Sequence, residues 1–179
     1  SMSNTFAGIR PLDVPAFVIA EFIAAAAAVF LVRWLFNNSD EKKTRVLILC
    51  TGNSARSQMA EGILRSIAGD KFDVESAGVS PSNVRPEAVK TMNEIGIDIS
   101  GQRSKSVEEF TGATFDFMIT VCDNAREICP ILPGNAVKIH HNFEDPPAVG
   151  AASHEETMEI FRRVRDEIHD FLIKFSHGN

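Results

Sequence analysis

One stretch constrains this chain more than any other. An apolar run, Val46-Leu47-Ile48-Leu49, breaks into the polar loop Cys50-Thr51-Gly52-Asn53-Ser54-Ala55-Arg56-Ser57 and continues as Gln58-Met59-Ala60-Glu61-Gly62-Ile63-Leu64. The pattern predicts strand, tight loop and helix. Loop amides that point inward form a nest for an oxyanion, and the helix N-terminus adds partial positive charge. The guanidinium of Arg56 can grip two oxygens at once. The same field is expected to depress the pKa of Cys50, and the thiolate is the reactive form. The expected oxyanion site is therefore Thr51, Gly52, Asn53, Ser54, Ala55 and Arg56, built against a nucleophilic Cys50. The competing reading is a structural cysteine buried at a strand end.

Beyond this unit the chain alternates. Strands are expected at 46–49, 72–76, 115–121 and 136–140, and helices at 57–68, 85–95 and about 153–175, with a short turn of helix at 107–110. Pro86 suits a first helical turn and Gly96 a C-cap. Ser153 and Glu156 have capping-box spacing, and Met158, Phe161, Val164, Ile168, Phe171 and Leu172 mark one apolar face. The expected fold is α/β, a doubly wound four-stranded parallel sheet. Ligands bind such sheets outside the carboxyl ends of the strands, and Cys50 and Cys122 both fall at expected strand ends.

Residues 14–36 are a different kind of segment: almost wholly apolar, with five consecutive alanines, and interrupted by Glu21. At about 1.5 Å per residue they would nearly span a bilayer core of roughly 30 Å. Trp34 and Arg33 look like interface anchors, and Lys42, Lys43 and Arg45 would place the following chain on the cytoplasmic side. Glu21 and the alanines suit one helix of a larger bundle better than a lone span. The alternative is an exposed apolar arm that drives association with a second copy. A signal peptide is disfavoured, since Glu21 interrupts the apolar core. Ser1 ahead of Met2 reads as a tag remnant. Residues 37–44 are polar and read as a linker, so the expected units are 1–36, 37–44 and 45–179.

Net charge is −6 with both signs dispersed, which argues against a nucleic-acid partner. Three cysteines leave one over from any disulfide framework and suit thiol chemistry in a reducing compartment. No cysteine–histidine cluster has zinc spacing, and His140-His141 reads as a strand end. No cofactor is expected. Cys122 and Cys129 are separated by six residues, roughly 10 Å if helical, whereas a disulfide needs Cα atoms within about 7 Å. They are either a redox pair coupled to a conformational change or two unrelated core cysteines. Asp145, ahead of Pro146-Pro147, is either a general acid on a stiff loop or a turn aspartate.

Two resemblances add to these readings. Residues 49–62, the segment Val-Cys-Asp-Asn-Ala-Arg-Glu-Ile-Cys-Pro-Ile-Leu-Pro-Gly around Cys122 and Cys129, and Asp145-Pro146-Pro147 together resemble the thioredoxin-coupled arsenate reductases, which share the low-molecular-weight tyrosine phosphatase fold. The resemblance covers about residues 44–175. It implies that Cys50 attacks arsenate, that Arg56 and the loop amides bind it, and that Ser57 lowers the Cys50 pKa. It further implies that Asn53 fixes the loop and Asp145 is the general acid. Cys122 then attacks Cys50, and Cys129 resolves the disulfide for reduction by thioredoxin, or alternatively by a glutaredoxin or small thiol. Some relatives bind potassium near this loop, with Asn53, Glu61 and Ser76 as counterparts here, but Lys105 replaces an acidic contact. The tyrosine phosphatases usually carry tyrosine after Asp-Pro; here Pro147 follows and the chain has no tyrosine.

The second resemblance covers residues 4–36: Asn4-Thr5-Phe6-Ala7-Gly8-Ile9-Arg10-Pro11 and the apolar helix resemble the last loop and last transmembrane helix of an aquaporin-type channel. It implies a reductase tethered to the inner face of the plasma membrane. The expected function is arsenate reduction. Two alternatives stand beside it: a tyrosine phosphatase, and a non-catalytic redox or anion-sensing tail of a channel.

Overall fold

The computed structural model describes residues 14–36, 42–123, 134–148, 150–151 and 153–178. Cys129 and residues 4–11 lie outside them. The chain divides into two compact units, Ser1–Lys42 and Lys43–Asn179.

The first unit contains helix α1, Val14–Phe36. Its large apolar side chains face outward: Phe22 is 73 % and Phe30 74 % exposed. Among the described residues no helix is long and apolar enough to cross a membrane. This overturns the resemblance to the last transmembrane helix of an aquaporin-type channel, and the fusion and tether it implied. The side chains described without interruption run from Val18 to Val32, about 22 Å of helix against a hydrocarbon core of about 30 Å. Glu21 and the alanines dilute even that stretch.

The second unit is an α/β domain with strands β1 (Thr44–Cys50), β2 (Phe72–Gly78), β3 (Phe117–Thr120) and β4 (Val137–His140). They form a parallel four-stranded sheet in the order β2-β1-β3-β4. The chain thus winds outward in both directions from β1. Val46 through Cys50 are all buried, as a central parallel strand requires. Helices α2 (Arg56–Ala68), α3 (Pro86–Asn93) and α4 (His154–Gly178) complete the regular structure, with a 3-10 turn at Val107–Phe110. Helix α2 packs on β1, β2 and α4. Phe161, Val164, Ile168 and Leu172 of α4 are buried in the core with Leu47, Ile63 and Leu64.

Element ends follow local chemistry. The capping box at α4 forms as the spacing predicts: Glu156 N donates to Ser153 Oγ at 3.3 Å, and Ser153 N donates to Glu156 Oε2 at 3.0 Å. β3 begins later than 115 because Asp116 Oδ2 takes the Arg45 N–H at 2.7 Å, and Phe115 packs under the Arg45 guanidinium. Helix α3 is shorter than 85–95: Arg85 is its N-cap and Gly96, at φ 78°, lies beyond its C-cap Glu94.

Candidate active site

Strand order reverses at β1, so a crevice opens between the carboxyl ends of β1 and β3. Cys50 ends β1, and Cys122 follows β3 by two residues. Both are buried, and Cys122 is close enough to be the main influence on the Cys50 thiol. Thr51 Oγ1 lies 3.4 Å from Cys122 Sγ.

The loop after Cys50 is held by its carbonyls. The oxygens of Cys50, Thr51, Gly52 and Ser54 accept from Val79 N (3.3 Å), Ser80 N (2.9 Å), Ser82 N (2.9 Å) and Arg85 N (2.9 Å). Gln58 Nε2 donates to Asn53 O at 3.0 Å. In a trans peptide the C=O and the next N–H point opposite ways. Anchoring five successive carbonyls outward therefore turns the amides of Thr51 through Ala55 inward. Helix α2 starts with Ala55 as N-cap and without a side-chain cap, so its first-turn amides also remain available to an anion.

Asn53 sets the loop's shape. It is the only non-glycine with positive φ among the described residues, at 46°, a region asparagine tolerates. Its fully buried side chain makes four hydrogen bonds: Nδ2 donates to Ser57 Oγ (2.9 Å) and Ser76 Oγ (2.8 Å), while Oδ1 accepts from Gln58 Nε2 (2.9 Å) and Lys105 N (2.7 Å). Close packing against β2 also matters: a Cβ on Gly78 would stand 2.7 Å from Thr51 O and 2.9 Å from Asn53 N.

Arg56 is buried, with Nη2 2.8 Å from Asp145 Oδ1 and Nη1 donating to Phe143 O at 3.0 Å. A cavity of about 230 Å³ opens here, lined by Arg56, Cys122, Asp123, Asn142, Phe143 and Asp145, with Glu144 at its edge. The structure thus brings Cys50, Thr51, Asn53, Arg56, Ser57, Cys122 and Asp145 to one crevice. Cys129 lies outside the described residues.

The Cys50 thiol is pushed well above its ordinary 9.0, against the sequence expectation of a depressed value. The Cys122 hydrogen bond is the largest cause, followed by burial and the electrostatic effect of Cys122. Arg56 and a backbone hydrogen bond from Asn53 pull the other way without winning.

The expected potassium counterparts are differently occupied. Ser76 Oγ donates to Glu61 Oε2 at 2.5 Å, and Lys105 Nζ sits 3.3 Å from both Glu61 oxygens and 2.5 Å from Glu75 Oε2. An ammonium supplies the positive charge there. Among the described residues no group of three histidine, cysteine, aspartate or glutamate side chains is placed to hold a metal. A second cavity, about 590 Å³, is lined by these same ion pairs rather than by the thiols. Sequence reasoning missed Gln58, Ser104, Lys105 and Arg85 as loop anchors; Ser104 Oγ donates to Gly52 O at 3.1 Å. The available signal was the polar start of α2, where Gln58 follows Arg56 and Ser57, and the polar run at 102–106.

Known proteins resemble this chain over the same unit. The family model for low molecular weight phosphotyrosine protein phosphatase matches residues 45–177. An arsenate reductase of Halalkalibacterium halodurans is 47 % identical over 126 residues, 70 % of this chain and 90 % of that protein. An arsenate reductase of Bacillus subtilis is 42 % identical over 131 residues, 73 % of this chain and 94 % of that protein. Among solved structures, an arsenate reductase in a phosphate-binding state superposes with TM-score 0.61 at 31 % identity, covering 75 % of this chain and 98 % of its own. A low molecular weight protein tyrosine phosphatase from T. tengcongensis gives 0.63 at 28 % identity, covering 76 % of this chain and all of its own.

Proposed function

The chain belongs to the low molecular weight phosphotyrosine protein phosphatase family, and from that premise we propose that it is an arsenate reductase working through a relay of thiols. The observation that carries this reading is the second thiol: Cys122, two residues past β3, lies at the same sheet edge as Cys50 and lines one cavity with Arg56. Hydrolysis of a phosphate ester needs one nucleophilic sulfur; reduction needs a second one within reach.

The chemistry runs in three steps. Arsenate enters the nest of amides from Thr51 to Ala55 and takes two of its oxygens to Arg56. Attack requires the Cys50 thiolate, which Arg56 and the Asn53 amide favour and which burial and the neighbouring Cys122 oppose. The Ser57 hydroxyl, held by Asn53 Nδ2, is the group assigned to lowering the Cys50 pKa. The Cys50 sulfur attacks arsenic, and Asp145 gives a proton to the departing hydroxide, which leaves as water. Arsenic is still pentavalent in this adduct. The Cys122 thiolate next attacks the Cys50 sulfur; the S–As bond breaks, its electron pair stays on arsenic, and arsenite leaves. Two thiols have been oxidised to a disulfide and arsenic has gained two electrons. Cys129 then displaces Cys50 from Cys122, and an external dithiol of the thioredoxin type reduces the Cys122–Cys129 disulfide.

The test is steady-state arsenate reduction driven by thioredoxin or by glutaredoxin with a small thiol, for wild type and Cys129→Ser. Thioredoxin-driven turnover that collapses in Cys129→Ser supports the relay. Turnover only with glutaredoxin, indifferent to Cys129, keeps the enzyme class and discards the third step. A tyrosine phosphatase is the second reading, favoured by the family match itself. It requires brisk aryl-phosphate hydrolysis that survives loss of Cys122, with no arsenite formed.

A further inference from the structure

Asp145 stands on a stretch without regular structure, residues 141–148. The two prolines after it have no N–H to donate; Pro146 is buried, and the downstream hydrogen bond runs through a carbonyl. Upstream, Phe143 is buried and its carbonyl accepts from Arg56 at 3.0 Å. Downstream, Arg85 Nη1 donates to Pro147 O at 2.6 Å. The Asp145 side chain is 79 % exposed and meets Arg56 Nη2 at 2.8 Å, so its position depends on that ion pair and on the backbone that carries it.

Arg85 is unusually well fixed for an arginine at a helix start. Its Nε donates to Glu87 Oε2 and its Nη2 faces Glu87 Oε1, each at 3.2 Å. The guanidinium lies 4.8 Å over the ring of Phe161, a fully buried residue of α4. Its backbone N–H donates to Ser54 O at 2.9 Å, inside the oxyanion loop. One residue therefore grips the anion nest with its backbone and the acid's loop with its side chain.

We infer that Arg85 is a positioning residue that sets Asp145 against the oxyanion nest by clamping the Pro147 carbonyl. The inference rests on the reading of Asp145 as the acid of arsenate reduction. The anion is bound by Arg56 and the loop amides, which do not depend on the Arg85 side chain. Loss of the clamp therefore slows the protonated departure of hydroxide while leaving anion binding in place. General acid catalysis typically contributes about 10²–10⁴-fold, and a slack loop forfeits part of it, on the order of tenfold.

The test is a double-mutant cycle in the full-length chain, with thioredoxin-coupled arsenate reduction as the assay and circular dichroism as the check of folding. Arg85→Ala is expected to lower kcat about tenfold with KM for arsenate within about twofold. Arg85→Lys, whose ammonium can still donate to Pro147 O, is expected to recover to within about threefold of wild type. Asp145→Asn should lose about 10²-fold, and adding Arg85→Ala to it should cost nothing further. If Arg85→Ala does not fold, Glu87→Gln replaces it: freeing the guanidinium should lower kcat severalfold, and the effect should again vanish with Asp145→Asn. An Arg85 effect that persists in full beside Asp145→Asn, a KM that rises in step with the loss, or no loss at all overturns the clamp. An Asp145→Asn enzyme with full turnover instead removes the acid, and with it any role for the clamp, which separates that failure from the first.

Discussion

Asn53 is where the geometry makes its largest claim on stability. Replacing it with alanine removes four buried hydrogen bonds. The losses are unequal. Gln58 Nε2 keeps carbonyl partners at Asn53 O and Arg103 O, and Ser76 Oγ still reaches Glu61. The Lys105 N–H, bonded to Asn53 Oδ1, is the costliest to strand. Taking about 1 kcal/mol for each bond, the four together amount to about 4 kcal/mol. Alanine at φ 46° adds about 1 kcal/mol of backbone strain. Asn53→Ala should therefore lose about 4–5 kcal/mol, much of a domain's usual 5–15. At roughly 3 °C per kcal/mol for a domain of this size, Tm should fall by about 15 °C. Asn53→Gly should be about 1 kcal/mol milder, because only the strain is relieved. Urea unfolding followed by circular dichroism measures this; the single tryptophan, Trp34, lies in α1 and reports on the other unit. A loss below about 1.5 kcal/mol, or equal losses for alanine and glycine, would refute the reasoning.

Further outcomes follow from the same geometry. In Cys122→Ala the main cause of the raised Cys50 pKa is gone, so the pH midpoint for Cys50 alkylation by iodoacetamide should move down. The folded state holds the Cys50 proton more tightly than the unfolded chain does. The Cys50 contribution to wild-type stability should therefore be level below about pH 9 and fall above it, with a shallower fall in Cys122→Ala; urea midpoints across alkaline pH check the sign. Lys105→Ala leaves Glu61, 1 % exposed, with Arg65 at 2.7 Å and Ser76; about 2 kcal/mol should be lost, less than for a fully stranded buried charge, and potassium or ammonium chloride should restore part of it where tetramethylammonium chloride does not. Gly78→Ala drives a Cβ into Thr51 O and Asn53 N, so KM for arsenate should rise severalfold as the nest distorts, measured by initial rates.

Much of this site was legible because β1, its loop and α2 are contiguous, and their pattern of apolar run, polar loop and helix is local. Cys122 could be assigned to the same crevice because strand ends of a parallel sheet share one edge. What the sequence could not supply was distance between remote residues. The Cys50 pKa was expected low because Arg56 and the helix start are visible in the loop itself; the Cys122 thiol that reverses the sign is 72 positions away and becomes a neighbour only through β1–β3 pairing. Lys105 likewise reaches Glu61 and Glu75 across two elements, and Arg85 reaches Pro147 across 62 positions. For residues 14–36 the helix was foreseen but its environment was not: apolar composition alone does not say what covers an exposed face.

The most direct test of the thiol relay is a single turnover without external reductant. Reduced wild type, Cys129→Ser and Cys122→Ser are mixed with excess arsenate, quenched with acid and analysed for arsenite and for disulfide-linked peptides. The relay predicts one arsenite per chain for wild type and Cys129→Ser, a trapped Cys50–Cys122 disulfide in Cys129→Ser, and no arsenite from Cys122→Ser. Arsenite from Cys122→Ser at the wild-type rate, or none from wild type while it hydrolyses p-nitrophenyl phosphate, would contradict it.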